Sequence, residues 1–137
     1  MTVTLTDTGP LIAYLDPHDQ WHEWSVRQWS ELSKPVLTCE PVITEACFLI
    51  SRYGGSPDEI MELVREGLFQ IALQLSEEAA SITTLLRRYA DTPMSLADAC
   101  LVRLAELHHN CRVLTLDRDF VRYRRHGRNV IPLLAPW

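Results

Sequence analysis

The stretch MSLADACLVRLAELHHNCRVLTLDRDF, residues 94–120, decides the fold class. Ser95 is a good helix N-cap residue, and Asp98 follows three positions later in the first helical turn. Apolar residues then recur at helical spacing to about Asn110, and the apolar segment RVLTL at residues 112–116 follows as a strand that ends at Asp117. A helix that leads directly into an apolar strand is typical of a parallel sheet covered by helices.

The same alternation of strands and helices continues outward along the chain. Further strands are predicted at residues 2–6, 35–38, 69–73 and 129–133. Further helices are predicted to begin near Gly9-Pro10, residue 18, Pro41, Ser56 and Ser76, with a short helix at 118–124. Strands separated by helices pair in parallel, so we expect an α/β fold, a three-layer α/β/α sandwich with a mainly parallel central sheet of about five strands. Ligands of such sheets bind beyond the carboxyl ends of the strands.

Bulk composition narrows the class of protein. The 137 residues suit one domain that spans residues 1–137, and the 47% hydrophobic content is that of an ordinary globular protein. No apolar run approaches the length of a membrane span, and the N-terminus lacks the basic region of a signal peptide. The four cysteines form no CxxC pair, which favours reduced thiols in the core over a zinc knuckle. We therefore expect a cytoplasmic protein with no membrane partner.

Charged and aromatic residues mark two segments whose roles stay open. The net charge of −5 argues against a protein that coats nucleic acid through bulk electrostatics. Residues 112–128 nevertheless contain six arginines, so this segment is either a local basic patch or a solvated face. Trp21, Trp24 and Trp29 fall close to one face of the helix at 18–33, which suits either core packing or a partner-binding surface.

Four acidic residues from distant parts of the chain occupy equivalent places in the predicted fold. Asp7 and Asp117 each stand where an apolar strand ends. Asp98 lies in the first turn of a helix, and Glu45 lies in the first turns of the helix after the second strand. All four positions lie at or near the carboxyl edge of a parallel sheet, so we expect the four side chains to converge on one pocket.

A cluster of carboxylates implies a cation. Carboxylates that are held together repel one another and lose hydration, so a fold keeps them together when a metal ion compensates. Hard oxygen ligands select Mg²⁺ or Mn²⁺. One such ion, or two about 4 Å apart, can clamp a phosphodiester and activate a water molecule. The pattern predicts a metal-dependent nuclease with Asp7, Glu45, Asp98 and Asp117 as catalytic residues and metal ligands.

Each acid also has a purely structural explanation. Asp7 could end a strand and cap the next helix, and Glu45 could be an exposed helical glutamate. Asp98 could be the reciprocal partner of Ser95 in a capping box, and Asp117 could begin a turn or cap the short helix after it. The occurrence of all four at ligand-side positions favours the functional interpretation.

Several motifs resemble the PIN-domain family. DTGPLIAYLD at 7–16 resembles the family's first motif, and VITEACFLIS at 42–51 resembles its second, with Glu45 as the glutamate. MSLADACLVRLAELHHNCRVLTLDRDF at 94–120 resembles the third and fourth motifs, which supply Asp98 and Asp117. The resemblance spans nearly the whole chain. Within the family, the short chain without added modules looks like the VapC toxins of prokaryotic toxin–antitoxin pairs.

That resemblance implies an endoribonuclease that acts on RNA with Mg²⁺ or Mn²⁺ bound by the four acids. It also implies that Thr8 and Thr115 are supporting hydroxyls near the site, with Asp119 as a further acid of the fourth motif. The expected partners are a second copy of the chain, as a homodimer, and a small antitoxin protein that lies across the active site. An arginine of such an antitoxin could pair with the carboxylates and displace the metal.

Other acidic sites fit the sequence poorly. A phosphoacceptor receiver domain needs adjacent acids after strand one and a lysine after strand five, whereas Lys34 is the only lysine here. A phosphatase of the haloacid-dehalogenase type needs Asp-x-Asp after strand one, where this chain has Asp7-Thr8-Gly9. Two alternatives stay open: a non-catalytic PIN-like module that binds RNA or protein, and a housekeeping RNA-processing nuclease without an antitoxin.

Overall fold

The computed structural model describes residues 2–137, and its central element is a sheet of five parallel strands. These strands are β1 (Val3–Thr6), β2 (Val36–Thr38), β3 (Phe69–Ile71), β4 (Cys111–Leu114) and β7 (Leu133–Leu134). The α-helices within residues 2–137 are α1 (Thr8–Leu15), α2 (His22–Glu31), α3 (Glu40–Arg52), α4 (Pro57–Glu66), α5 (Leu75–Arg88) and α6 (Leu96–Leu107). A 3₁₀ helix (Arg118–Val121) and a small hairpin of β5 (Arg124–Arg125) and β6 (Asn129–Val130) follow β4.

The strand order places the ends of β1 and β4 side by side. The order across the sheet is β3-β2-β1-β4-β7, and all four pairings are parallel. In the register of β1 and β4, Thr6 is opposite Leu114, so the residues that follow these strands leave the same edge together. The predicted fold class, with its mainly parallel sheet, is confirmed. The predicted domain of residues 1–137 stays a prediction, and its first residue lies outside the described part of the chain.

The core lies on both faces of this sheet. Leu5, Val36 and Val113 in the strands are fully buried, and α6 is buried along most of its length. In α2, Trp29 is 3% exposed and packs against Tyr14 and Phe69, with ring centroids 6.1 and 6.4 Å apart. Trp24 also packs against the core, so core packing accounts for these two members of the tryptophan face.

Several element boundaries differ from the prediction: the strand predicted at 69–73 ends at Ile71, the helix predicted at 118–124 ends at Val121, and two further differences have a clear cause. The strand predicted at 129–133 is two strands, because Asn129–Val130 pairs with β5 in the hairpin and only Leu133–Leu134 joins the main sheet. The helix predicted from residue 18 begins at His22. The carboxylates of Asp16 and Asp19 accept hydrogen bonds from the backbone N–H groups of His18 and Trp21, at 3.0 and 2.8 Å, and these turns delay the helix.

The described residues include no helix that is both long and apolar enough to cross a bilayer. All four cysteines are free, and Cys39, Cys100 and Cys111 are buried in the core as expected.

Candidate active site

Asp7 is the most constrained of the four acids. It follows β1, is 6% exposed, and caps α1, because its Oδ1 accepts a hydrogen bond from the Thr8 backbone N–H at 2.7 Å. Its Oδ2 accepts a second hydrogen bond from Thr115 Oγ1 at 2.8 Å. Asp7 can therefore cap α1 and also belong to the candidate site.

Burial sets the charge state of Asp7. Loss of hydration raises the pKa of its carboxyl to about 7, and the nearby charges of Asp98 and Asp117 add to the rise. The hydrogen bonds from Thr115 and Thr8 act in the opposite direction, because they favour the charged form. A cation beside Asp7 would favour the ionised form in the same way.

Asp98 is anchored through one oxygen and leaves the other free. Its Oδ2 accepts hydrogen bonds from the Ser95 backbone N–H at 3.2 Å and from the Tyr123 hydroxyl at 2.9 Å. The Ser95 hydroxyl accepts from the Asp98 N–H at 3.1 Å, which completes the capping box at the start of α6. Among the described residues nothing donates a hydrogen bond to Asp98 Oδ1, so this oxygen is available to a ligand. Burial raises the pKa of Asp98, with contributions from Asp117 and Glu45.

The Thr115 hydroxyl links the residues that follow β1 and β4. It donates to Asp7 and accepts a hydrogen bond from the Asp117 backbone N–H at 2.9 Å. Asp117 is exposed and caps the 3₁₀ helix, because its Oδ1 accepts from the Asp119 N–H at 2.9 Å. The carboxylate of Asp119 forms an ion pair with Arg122 at 2.6 Å, and Asp119 does not line the pocket described below.

Glu45 reaches the same region from α3. Its Oε2 accepts a hydrogen bond from Thr8 Oγ1 at 3.0 Å, and its side chain is half-buried. Thr8 is the first residue of α1, directly after Asp7. This contact therefore ties the second motif to the first.

The four acids line one pocket of about 390 Å³ at the carboxyl edge of the sheet. Its lining comprises Asp7, Thr8, Gly9, Glu45, Pro93, Ser95, Asp98, Leu116 and Asp117. Gly9 allows the close approach of α1 to the residues after β4, since a Cβ atom at Gly9 would lie 3.3 Å from Leu116 Cβ. The structure thus brings Asp7, Glu45, Asp98, Asp117 and Thr8 to one pocket. Thr115 lies behind the pocket as a support for Asp7.

The donor chemistry of this pocket suits a hard divalent cation. The oxygens that it presents are those of carboxylates, one of them free on Asp98, and a cation would offset the burial and the neighbouring charges that raise the pKa of Asp7. Within residues 2–137, however, no three Asp, Glu, His or Cys side chains form a preassembled metal centre. The acids line the same pocket, but their side chains are not already arranged around a common metal position. The assignment of these acids as metal ligands therefore stays a prediction.

Sequence reasoning missed Tyr123. The residue is fully buried, and its ring packs edge-on against Tyr89 and Phe120, with centroids 5.2 and 5.1 Å away. Burial and the adjacent Asp98 both raise the pKa of its hydroxyl, which therefore stays protonated as a donor to Asp98. The only local signal was the aromatic pair Phe120 and Tyr123 at a spacing of three residues, within a segment that arginines dominate.

Comparison with known proteins identifies the family of the chain. The chain matches the PIN domain family over residues 4–126, a range that contains all four acids. It is similar to Ribonuclease VapC26 of Mycobacterium tuberculosis (strain ATCC 25618 / H37Rv), with 28% identity over 117 residues that cover 83% of this chain and 86% of that protein. With a match over most of its length, the chain belongs to the PIN domain family.

Proposed function

We propose that this protein is a divalent-metal-dependent endoribonuclease that hydrolyses phosphodiester bonds of RNA in the acidic pocket. The observation that carries the proposal is the convergence of Asp7, Glu45, Asp98 and Asp117 on one pocket at the carboxyl edge of the sheet. Membership of the PIN domain family and similarity to a protein named as a ribonuclease support a nuclease.

In this proposal the four acids hold Mg²⁺ or Mn²⁺. The ion would neutralise charge on the phosphodiester and lower the pKa of a bound water molecule. The protein's own residues provide orientation. Thr115 and the Thr8 N–H fix both oxygens of Asp7, and Tyr123 and Ser95 fix one oxygen of Asp98. Pre-oriented carboxylates lose less conformational freedom when they engage substrate and cation.

A cleavage assay with amide variants tests this proposal. Wild-type protein should cleave RNA in the presence of Mg²⁺, and cleavage should stop when EDTA removes the ion. Asp98→Asn and Glu45→Gln should each reduce cleavage by about 100-fold or more, as expected for groups that stabilise charge in the transition state. Glu62→Gln is a matched control, because Glu62 is an exposed residue of α4 that pairs with Arg65. Full activity of Asp98→Asn with an intact fold would refute the site.

We further propose that the protein is the toxin of a type II toxin–antitoxin pair, acts in the cytoplasm, and forms a homodimer that a small antitoxin inhibits. Support comes from the similarity to VapC26 over most of both chains. Expression of the wild-type chain alone in a bacterium should arrest growth, and expression of Asp7→Asn should not. Normal growth with active wild-type protein would instead favour a housekeeping nuclease. Retention of RNA binding with no cleavage would favour a non-catalytic module.

A further inference from the structure

The arginines of residues 112–128 differ in what engages their guanidinium groups. Arg122 forms the ion pair with Asp119. Three others donate hydrogen bonds to backbone carbonyls or to the Thr4 hydroxyl: Arg112, Arg124 and Arg125. These four side chains are already engaged by other groups of the protein, so the segment is not a uniform basic patch.

Arg118 is engaged differently. Its guanidinium carbon lies 4.7 Å from the centroid of the Trp137 ring, a cation–π arrangement. Within residues 2–137, no atom accepts a hydrogen bond from this guanidinium, and the residue is exposed. Stacking on an indole restricts the cation and leaves the N–H groups at its edges free for a ligand.

The position of Trp137 is itself fixed at the edge of the acidic pocket. Its Nε1–H donates a hydrogen bond to the Leu116 carbonyl at 3.2 Å. Trp137 comes shortly after β7, which is parallel to β4, so it leaves the sheet at the same edge as Asp117. Leu116 and Asp117 line the pocket, and Arg118 is the next residue. The stacked pair therefore stands beside the site.

The pocket needs a cationic neighbour to bind a polyanion. Four acids line it, and among the described lining residues there is no arginine or lysine. A bound metal ion would compensate charge at the bond to be cleaved, while the flanking phosphates would still meet a negative surface. A guanidinium suits a phosphate because its planar fork can donate two parallel hydrogen bonds.

We propose that Arg118, held on Trp137, binds a backbone phosphate of the RNA that flanks the cleaved bond, and so positions the substrate across the acidic pocket. The inference rests on the proposed ribonuclease function. Arg118 is then a positioning residue, and its removal should weaken substrate binding while the chemical step is kept.

Steady-state cleavage kinetics with Arg118→Gln test the proposal. We expect KM for RNA to rise about tenfold, as for one lost phosphate contact, with kcat within about twofold of wild type. The dependence of log KM on log salt concentration should also become shallower by about 0.7, the value for one phosphate contact on a single strand. An unchanged KM and salt slope would overturn the inference.

Arg128→Gln is the matched control, because it removes one charge from the same segment. Arg128 is exposed in the β5–β6 hairpin. Within that hairpin Arg125 bonds to the carbonyls of Ala105 and His109, around the C-terminal end of α6, whereas Asp98 lies at the N-terminal end of that helix. A purely general charge effect would change KM equally in both variants and would contradict a specific role for Arg118.

Trp137→Ala tests the stacking. This variant keeps the charge of Arg118 but releases its side chain, so KM should rise less than in Arg118→Gln. The double variant should match Arg118→Gln alone, because the two residues act through one contact. Additive effects of the two substitutions would refute the coupling.

A binding assay separates this inference from the proposed function. The affinity of a short, fluorescein-labelled single-stranded RNA of mixed sequence would be measured by anisotropy in the Asp98→Asn background, with and without Arg118→Gln. Weaker binding on loss of Arg118 supports the contact even if the wild-type protein cleaves no RNA. Equal binding, or none in either protein, refutes the contact. Wild-type cleavage alone decides the proposed function.

Discussion

At the residue scale, Asp7 has three roles. It caps α1, it accepts a hydrogen bond from the Thr115 hydroxyl, and its carboxylate lines the pocket. Both of its oxygens are already hydrogen-bonded, which fixes the orientation of the side chain. Its burial makes the charged form costly, and the neighbouring acids increase this cost. The residue therefore connects local stability to the chemistry of the pocket.

This cost predicts a pH dependence of stability. Burial raises the pKa of Asp7 to about 7 in the folded protein, well above its ordinary value, so the folded state binds more protons than the unfolded state at pH values between the two. The stabilisation is complete below the unfolded pKa and is lost as the pH rises through 7. In EDTA, the free energy of unfolding should fall by up to about 1.4 kcal/mol per pH unit between about pH 5 and 7.

Chemical denaturation of wild type and Asp7→Asn across this pH range measures the effect. Asparagine has no proton to lose and can still cap α1. Its stability should therefore be flatter with pH, although Asp98 still contributes a slope of the same sign. Identical slopes in the two proteins would show that Asp7 does not titrate in this range.

Tyr123 gives a second residue-scale prediction. Tyr123→Phe keeps the ring packed but removes the donor to Asp98 Oδ2. We expect cleavage to fall about tenfold, because a hydrogen bond to a carboxylate contributes about 1.5 kcal/mol or more to its orientation and charge. Tyr89→Phe is the control, since the Tyr89 hydroxyl accepts from the Arg124 N–H instead of contacting an acid. Equal activity losses in both variants would indicate a packing effect only.

At the element scale, the start of α6 carries both structure and function. Ser95 and Asp98 form a capping box, and the same Asp98 lines the pocket. A second capping box, Ser56 with Glu59, begins α4 outside the pocket. At both starts the acid side chain accepts from the N-cap N–H, but the Ser95 hydroxyl accepts from the Asp98 N–H whereas the Ser56 hydroxyl donates to the Asp58 carboxylate. The two starts therefore form a comparison at different locations.

Ser95→Ala and Ser56→Ala should therefore separate stability from activity. Each substitution should cost about 1 kcal/mol of stability, the usual effect of losing an N-cap. Only Ser95→Ala should also lower RNA cleavage, because only there does the lost hydrogen bond hold the backbone N–H of a residue, Asp98, whose carboxylate lines the pocket. Thermal unfolding and cleavage rates measure the two effects. A comparable loss of activity in Ser56→Ala would contradict the assignment.

The same element shows why part of the site could be predicted from sequence. Ser95 and Asp98, three residues apart, mark the start of α6, and an apolar strand precedes each of Asp7 and Asp117. Local patterns therefore predict the positions of all three aspartates. The bond between Tyr123 and Asp98 joins residues far apart in sequence and depends on packing, which periodicity does not reveal. Likewise, the two-residue strand β7 is defined by its pairing with β4, and the local sequence pattern does not predict that pairing.

At the scale of the whole molecule, the proposed binding of a cation in the pocket is expected to be coupled to folding. Any ion that binds the folded state alone raises the free energy of unfolding, by about 1.4 kcal/mol at a tenfold excess over its dissociation constant. Mg²⁺ should therefore raise the melting temperature of the wild-type protein. The rise should be larger at pH 8 than at pH 6, because at pH 6 protonation of Asp7 competes with the ion.

Differential scanning fluorimetry with MgCl₂, against NaCl of equal ionic strength, measures this stabilisation. Asp98→Asn should lose most of it, whereas Glu62→Gln should keep it. If the melting temperature of wild type responds equally to both salts, the four acids do not bind the ion with useful affinity.

The order of strands in the sheet has one more consequence, for self-association through its edges. The edge strands are β3, with three residues, and β7, with two. Short edges expose few unpaired backbone N–H and C=O groups, so an added strand from another molecule gains few hydrogen bonds. The longer, continuous pairing of β1 and β4 is enclosed in the middle. The topology that gathers the acids thus also protects the folded chain against edge-to-edge aggregation.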